Sequence, residues 1–197
     1  MGQFRGHNLF YALRPPDADA VSRVHGLARQ LNTDLKLRAG LILEKHLHVS
    51  LQGIYGGMDL PAEVLAKARR AAALVDGMPF ELVFDRIQSF HGAFDQPALV
   101  LRGSEQENFA CRLFQQQMRE TLLAAGYNNL GRRDFEPHCT LLYSDAWIKD
   151  PILVDPIKWC VNSFTLIDSL QGLTKYEFLG DWPLVQAHQD LFSVPSA

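Results

Sequence analysis

Cysteine is scarce in this chain of 197 residues. Cys111, Cys139 and Cys160 are odd in number and show no C-x-x-C spacing, which argues against a disulfide framework or a cysteine zinc site. They are expected as reduced, buried thiols. No apolar run approaches the roughly 20 residues of a membrane-spanning helix. The opening MGQFRGHNLF has no signal-peptide core, and Gly6 stands where a myristoylation signal wants Ser or Thr. A cytoplasmic protein without membrane contact is expected. Positive charge is not in excess either: 19 Lys and Arg against 22 Asp and Glu leave a net charge of −3. That argues against coating long nucleic acid through many phosphate contacts, so any nucleic-acid partner is met at an end. Low-complexity linkers are also missing, and residues 1–197 are read as a single domain of two intertwined lobes.

What is present is regular patterning. NLFYAL (residues 8–13) is a short apolar run stopped by Pro15 and Pro16 and predicts a buried strand. From Asp17 onward Val21, Val24, Ala28 and Leu31 recur at helical spacing. LKLRAGLILEK then returns the chain to HLHVSLQ, where Leu47, Val49 and Leu51 point one way and His46, His48, Ser50 and Gln52 the other. A second helix is predicted over 61–76, with Pro61 near its start, and FELVFDRI alternates like a strand. PALVLRG (97–103) predicts another strand, and Ser104 and Glu107 read as a capping box launching the longest helix, closed by Gly126. EPHCTLLY (136–143) follows, and SFTLIDSL and KYEFLGDW form a predicted hairpin around Gly172.

This layout hides a repeat. Leu9 to His48 and Leu99 to His138 are both 39 positions apart, and each interval holds strand, helix, loop and histidine strand. A pseudo-twofold axis would bring the two histidine strands together. Each histidine carries a hydroxyl two residues on, roughly 7 Å away along the same face of a strand. One imidazole can take a proton from water while the other gives one to a departing oxygen, which suits displacement at phosphorus with no metal. Ser50 and Thr140 can donate to the non-bridging phosphate oxygens.

LFYALRPP, HVSL, PHCTLL and the tail from SL through YEFLGDWPL resemble the 2H phosphoesterase superfamily, in its bacterial 2′-5′ RNA ligase branch of RNA 2′,3′-cyclic phosphodiesterases. The resemblance covers nearly the whole chain. It implies an α+β fold of two pseudo-symmetric lobes, with antiparallel sheets and flanking helices around a central cleft holding both H-x-[ST] strands. It also implies opening of a 2′,3′-cyclic phosphate to a 2′-phosphate without cofactor or metal, or the reverse 2′-5′ ligation. The expected partners are RNA 3′ ends or small cyclic nucleotides, and the protein is expected as a monomer with no obligatory protein partner. By this resemblance His48 maps to the acid that protonates the 3′-oxygen and His138 to the base that activates water. Two departures stand out: Ser50 replaces the commoner threonine, and Tyr143 stands where the family often has Arg. A tyrosine can stack or hydrogen-bond but supplies no cation.

Other readings compete. A metal site of His46, His48 and His138 lacks Asp or Cys at ligand spacing, which leaves His46 as a rim residue. Cys139 points away from its histidine and reads as core. Arg132, Arg133 and Arg14 can hold phosphate or line a solvated loop. Phe10, Tyr11 and Phe90 can stack on a base or fill the core. A nucleotide-binding module without turnover, or a phosphodiesterase for another cyclic or 2′-5′-linked nucleotide, is the alternative function.

Overall fold

The computed structural model describes residues 3–37, 39–91, 96–131, 134–144 and 147–185. Strand β1 (His7–Leu13) runs into the prolines, and helix α1 (Ala18–Asp34) follows. Asp17 caps it by accepting the Ala20 N–H at 2.8 Å, which satisfies one of the donors a helix leaves free at its start. After a 3₁₀ turn (Glu44–His46) come β2 (Val49–Gly57), α2 (Ala62–Ala72), β3 (Phe80–His91) and β4 (Pro97–Arg102). Helix α3 (Phe109–Ala124) and strands β5 (His138–Tyr143), β6 (Ile152–Val161), β7 (Ser163–Leu170) and β8 (Lys175–Pro183) complete the order. At the β7–β8 turn Gly172 has φ +82°, and a Cβ there would lie 2.0 Å from the Gln3 carbonyl oxygen.

The strands form one antiparallel sheet in the order β6-β3-β4-β5-β2-β1-β7-β8. This is an α+β fold with the two-halved plan expected. Four strands lie on each side of a seam at β5–β2, where the paired residues are Val49 and Cys139. One face of the sheet is covered: Leu9, Tyr11, Leu13, Leu99 and Leu101 join the buried stripes of all three helices in a single core. Among the described residues, the other face carries a small apolar cluster of Phe10, Ala12 and Ile167 with Tyr176 against it. Functional groups that face away from the core therefore meet on this second face.

Three features differ from expectation. Ser104 and Glu107 do bond reciprocally, at 2.7 and 3.2 Å, yet α3 begins only at Phe109. Buried Asn108 intervenes, exchanging two 2.9 Å hydrogen bonds with the backbone of Val83 and pinning that turn to the sheet. The 16-residue α3 is thus shorter than the 17-residue α1. Strand β6 was hidden by Pro156, which an edge strand tolerates because its missing N–H need not serve a ladder. Cys160 lies on this edge strand and is exposed, whereas Cys111 and Cys139 are buried as expected. Among the described residues no helix is long and apolar enough to cross a membrane.

Candidate active site

The seam builds the site. In an antiparallel pair centred on Val49 and Cys139, the register sets His48 across from Thr140 and Ser50 across from His138. Val49 and Cys139 are fully buried in the core, so strand alternation turns the four neighbouring side chains to the open face. Each H-x-[ST] motif is thereby interlocked with the other. His48 itself falls one residue before β2, on the extended approach from the 3₁₀ turn.

Both rings are oriented by the same device. His48 Nδ1 lies 2.7 Å from the carbonyl oxygen of His46, and His138 Nδ1 lies 2.7 Å from that of Glu136. A carbonyl only accepts, so each Nδ1 carries the hydrogen and each Nε2 is left as the working atom. The Nε2 of His48 sits 3.0 Å from Ser50 Oγ. When the ring is neutral, that hydroxyl is the donor.

Burial lowers the pKa of both histidines. His48 falls to about 4, chiefly by desolvation and further by the nearby His138 and His46, against the favourable His46 carbonyl. His138 also falls by desolvation, with the Glu136 carbonyl and carboxylate opposing and Arg102 adding to the drop. Aromatic rings supply the apolar surroundings. Phe10 lies 5.2 Å and Tyr176 5.6 Å from the His48 ring, and Phe90 lies 5.0 Å from that of His138.

Comparison with known proteins bears on this arrangement. Residues 15–172 match the model of the family described as the 2′-5′ RNA ligase superfamily. The chain belongs to this superfamily, as its resemblance to the 2H phosphoesterases led us to expect. Its fold is that of E. coli LigT: the apo structure superposes with a TM-score of 0.69 at 22% identity, over 92% of this chain and 99% of LigT. The Thermus thermophilus protein TT0787 matches with a TM-score of 0.55 at 19% identity, over 90% of this chain and 97% of that one. No curated protein matches the chain.

The two histidine strands are not simple alternating ones. A register irregularity follows each hydroxyl: β2 pairs Ser50 with Ala12 and Gln52 with Tyr11, and β5 pairs Thr140 with Val100 and Leu142 with Leu99. The extra residues, Leu51 and Leu141, reset which face the later side chains meet. Tyr143 is thereby carried to the cleft side, opposite Ala98, and is half exposed. Gln52, expected beside His48, is instead turned into the covered side. It is buried there, donating to the Leu130 carbonyl at 2.7 Å and accepting from Arg119 at 3.3 Å.

The remaining candidates separate cleanly. Phe10 and Phe90 border the histidines, but Tyr11 is core, its hydroxyl donating to the Ala68 carbonyl at 2.7 Å. His46 is no rim residue: it is buried and stacks on Tyr176 at 4.2 Å. Cys139 is core as expected, its thiol pushed up to about 12 by burial. Arg14 lies 4.2 Å over the Phe178 ring. Arg132 and Arg133 lie outside the described residues. Among the described residues, no group of three or more His, Cys, Asp or Glu is placed to hold a metal ion.

Sequence reasoning missed three neighbours of the histidines. Arg102, directly opposite His138 on β4, and Tyr176 on β8 were passed over inside quoted strands. Glu136 drew no notice because its part is played by a backbone carbonyl. Only the alternation of PALVLRG, which sets Arg102 on the face away from Leu101, offered a signal.

Proposed function

We propose that this protein hydrolyses terminal 2′,3′-cyclic phosphates of RNA to 2′-phosphates, using His48 and His138 as its proton-transfer pair. The observation that carries the reading is the interlocked seam, where two imidazoles with the same tautomer share one face with Ser50 and Thr140 and His48 Nε2 lies 3.0 Å from Ser50 Oγ. E. coli LigT, which shares the fold, has been crystallised with 3′-AMP and with phosphate, which supports a nucleotide phosphate as the occupant of such a cleft.

In this reaction a water oxygen bonds to phosphorus as the bond to the 3′-oxygen breaks. Neutral His138 Nε2 takes the water proton, and protonated His48 Nε2 gives one to the 3′-oxygen. These directions follow the family resemblance. Burial of His48 attaches a condition, because its lowered pKa leaves it neutral near pH 7. The arriving phosphate anion raises that pKa, so substrate charges its own acid. Ser50 and Thr140 donate to the phosphate oxygens, whose charge grows as water adds. The aromatic surroundings of Phe10, Phe90, Tyr143 and Tyr176 suit a base or ribose stacked beside the phosphate.

The test is a short RNA ending in a 2′,3′-cyclic phosphate, incubated in EDTA with wild type, His48→Ala and His138→Ala. Wild type should leave a 2′-phosphate, and each variant should lose about 10²–10⁴-fold in rate. Binding without conversion would establish a nucleotide-binding module instead, and loss of wild-type activity in EDTA would restore a metal site.

A further inference from the structure

A phosphate arriving in the cleft meets a floor with no permanent cation of its own. Near pH 7 the lowered pKa values leave His48 and His138 neutral, and Ser50, Thr140 and Tyr143 carry no charge. A cation beside His138 on the cleft side is built into the next strand. Arg102 is cross-strand from His138, and its neighbour Leu101 faces the core, which turns the guanidinium to the open face. Directly opposite residues on neighbouring strands stand roughly 5 Å apart at Cβ.

Arg102 shares its carboxylate partner, with Asp85 as a further negative charge nearby. Its Nη1 donates to Gln88 Oε1 at 3.1 Å and its Nη2 lies 3.1 Å from Glu136 Oε1. The second oxygen of Glu136 is taken by Arg112 at 2.5 Å, so two guanidiniums share one carboxylate. Besides Glu136, Arg112 has the Phe135 carbonyl and the exposed Glu105, the latter at 3.9 Å. Arg86 stands opposite Arg102 on β3, and Asp85 holds it at 2.7 and 2.8 Å. Like charges on directly opposite residues cost stability that an anionic ligand would recover. A guanidinium has five N–H donors, and the Nε of Arg102 is buried without a hydrogen-bond partner.

We propose that Arg102 is a phosphate-binding residue of the cleft, donating to an anionic oxygen of the group held between the two histidines, while Arg112 keeps Glu136 from neutralising it. This rests on the reading of the cleft as a phosphoester site. Glu136 ties the parts together: its carboxylate fixes Arg102 and its carbonyl fixes the His138 ring. The cation and the general base are thus set by one residue. Arg112 is a positioning residue in this scheme, since it touches Glu136 rather than the ligand.

The experiment is binding rather than turnover. Inorganic phosphate and uridine 2′-monophosphate are titrated into wild type and into Arg102→Gln and Arg102→Lys at low salt, with thermal melts as the folding control. Arg102→Gln should bind about tenfold more weakly, with a flatter dependence on ionic strength, and Arg102→Lys should fall between. Introducing Tyr143→Arg into the Arg102→Gln protein should restore part of the affinity from the other end of β5. In wild type the Arg102 Nε–H resonance should move as phosphate is added, a reading that needs no variant and decides the matter if Arg102→Gln does not fold. Affinity within twofold of wild type in folded Arg102→Gln, or an Arg102 resonance unmoved at saturating phosphate, would overturn the proposal. Arg102-dependent binding by a protein that opens no cyclic phosphate would keep it and discard the reaction proposed above.

Discussion

The imidazole of His46 lies nearly flat against the ring of Tyr176, with 4.2 Å between centroids and 23° between planes. Its carbonyl accepts the Nδ1 hydrogen of His48. The stack therefore does for His48 what the arginine-held Glu136 does for His138: it fixes the residue whose carbonyl orients the ring.

Removing that stack should loosen His48 and thin the aromatic wall beside it. Tyr176→Ala should lower kcat by roughly tenfold, the scale of one weakened hydrogen bond of about 1.4 kcal/mol. Tyr176→Phe keeps the ring and should retain most of the rate. Steady-state kinetics on cyclic-phosphate RNA compare the two; equal loss in both would point to the hydroxyl instead.

Acid should be the favoured condition for free enzyme and free substrate. The reaction needs one protonated and one neutral imidazole, so kcat/KM rises and falls on two pKa values that belong to the pair. Burial sets both below 6.5, which puts the maximum of kcat/KM below pH 6.5. The profile for kcat, measured with phosphate bound, should be displaced to higher pH. A kcat/KM maximum above pH 7.5 contradicts the burial of these rings.

Stability should respond to the same shifts. The histidines are harder to protonate folded than unfolded, so as pH drops below about 6.5 the unfolded chain takes up protons first. Nothing is lost above that value. Stability then declines down to the folded pKa of His48, about 4, by on the order of 1–3 kcal/mol in total. Urea melts at pH 7.5, 6.0 and 5.0 would follow the decline, and His48→Gln should flatten it; an equal slope in both proteins assigns the effect elsewhere.

Gln52 should matter to the fold more than to the reaction. Its amide is buried against Leu130, Arg119 and Gln115, and Gln52→Ala leaves those groups short of partners at a cost of about 1–3 kcal/mol. Chemical denaturation should show the loss, while kcat per folded molecule stays within a few-fold of wild type. A collapse of kcat with unchanged stability would return Gln52 to the cleft.

Gln52 also marks where the sequence stopped being readable. Alternation correctly set His48 with Ser50 and His138 with Thr140 on one face, because a two-residue period is all that such short stretches need. Past Leu51 and Leu141 the period breaks, and nothing in the residue types announces a bulge. The same defect delivers Tyr143 to the open face, a placement that strict alternation from His138 would deny. Other misses have other causes. Pro156 concealed an edge strand, Arg102 and Tyr176 owe their places to strand pairings with segments distant in sequence, and Glu136 acts through a backbone carbonyl that its side chain does not reveal. The repeated interval of 39 positions was visible because strand, helix and strand each leave a local pattern.

The near-break at the seam has a price in exposed backbone. A sheet divided after one central pair would leave two raw inner edges, each able to recruit a strand from another molecule. The crossover segments blunt them. Leu41 bridges to Leu142, with the Ile42 N–H donating to the Leu141 carbonyl at 3.0 Å, and the Leu130 segment is tied to Gln52 on β2. The long returns after α1 and α3 are therefore also guards against self-association, and shortening either should convert a discrete protein into an aggregating one before it disturbs either histidine.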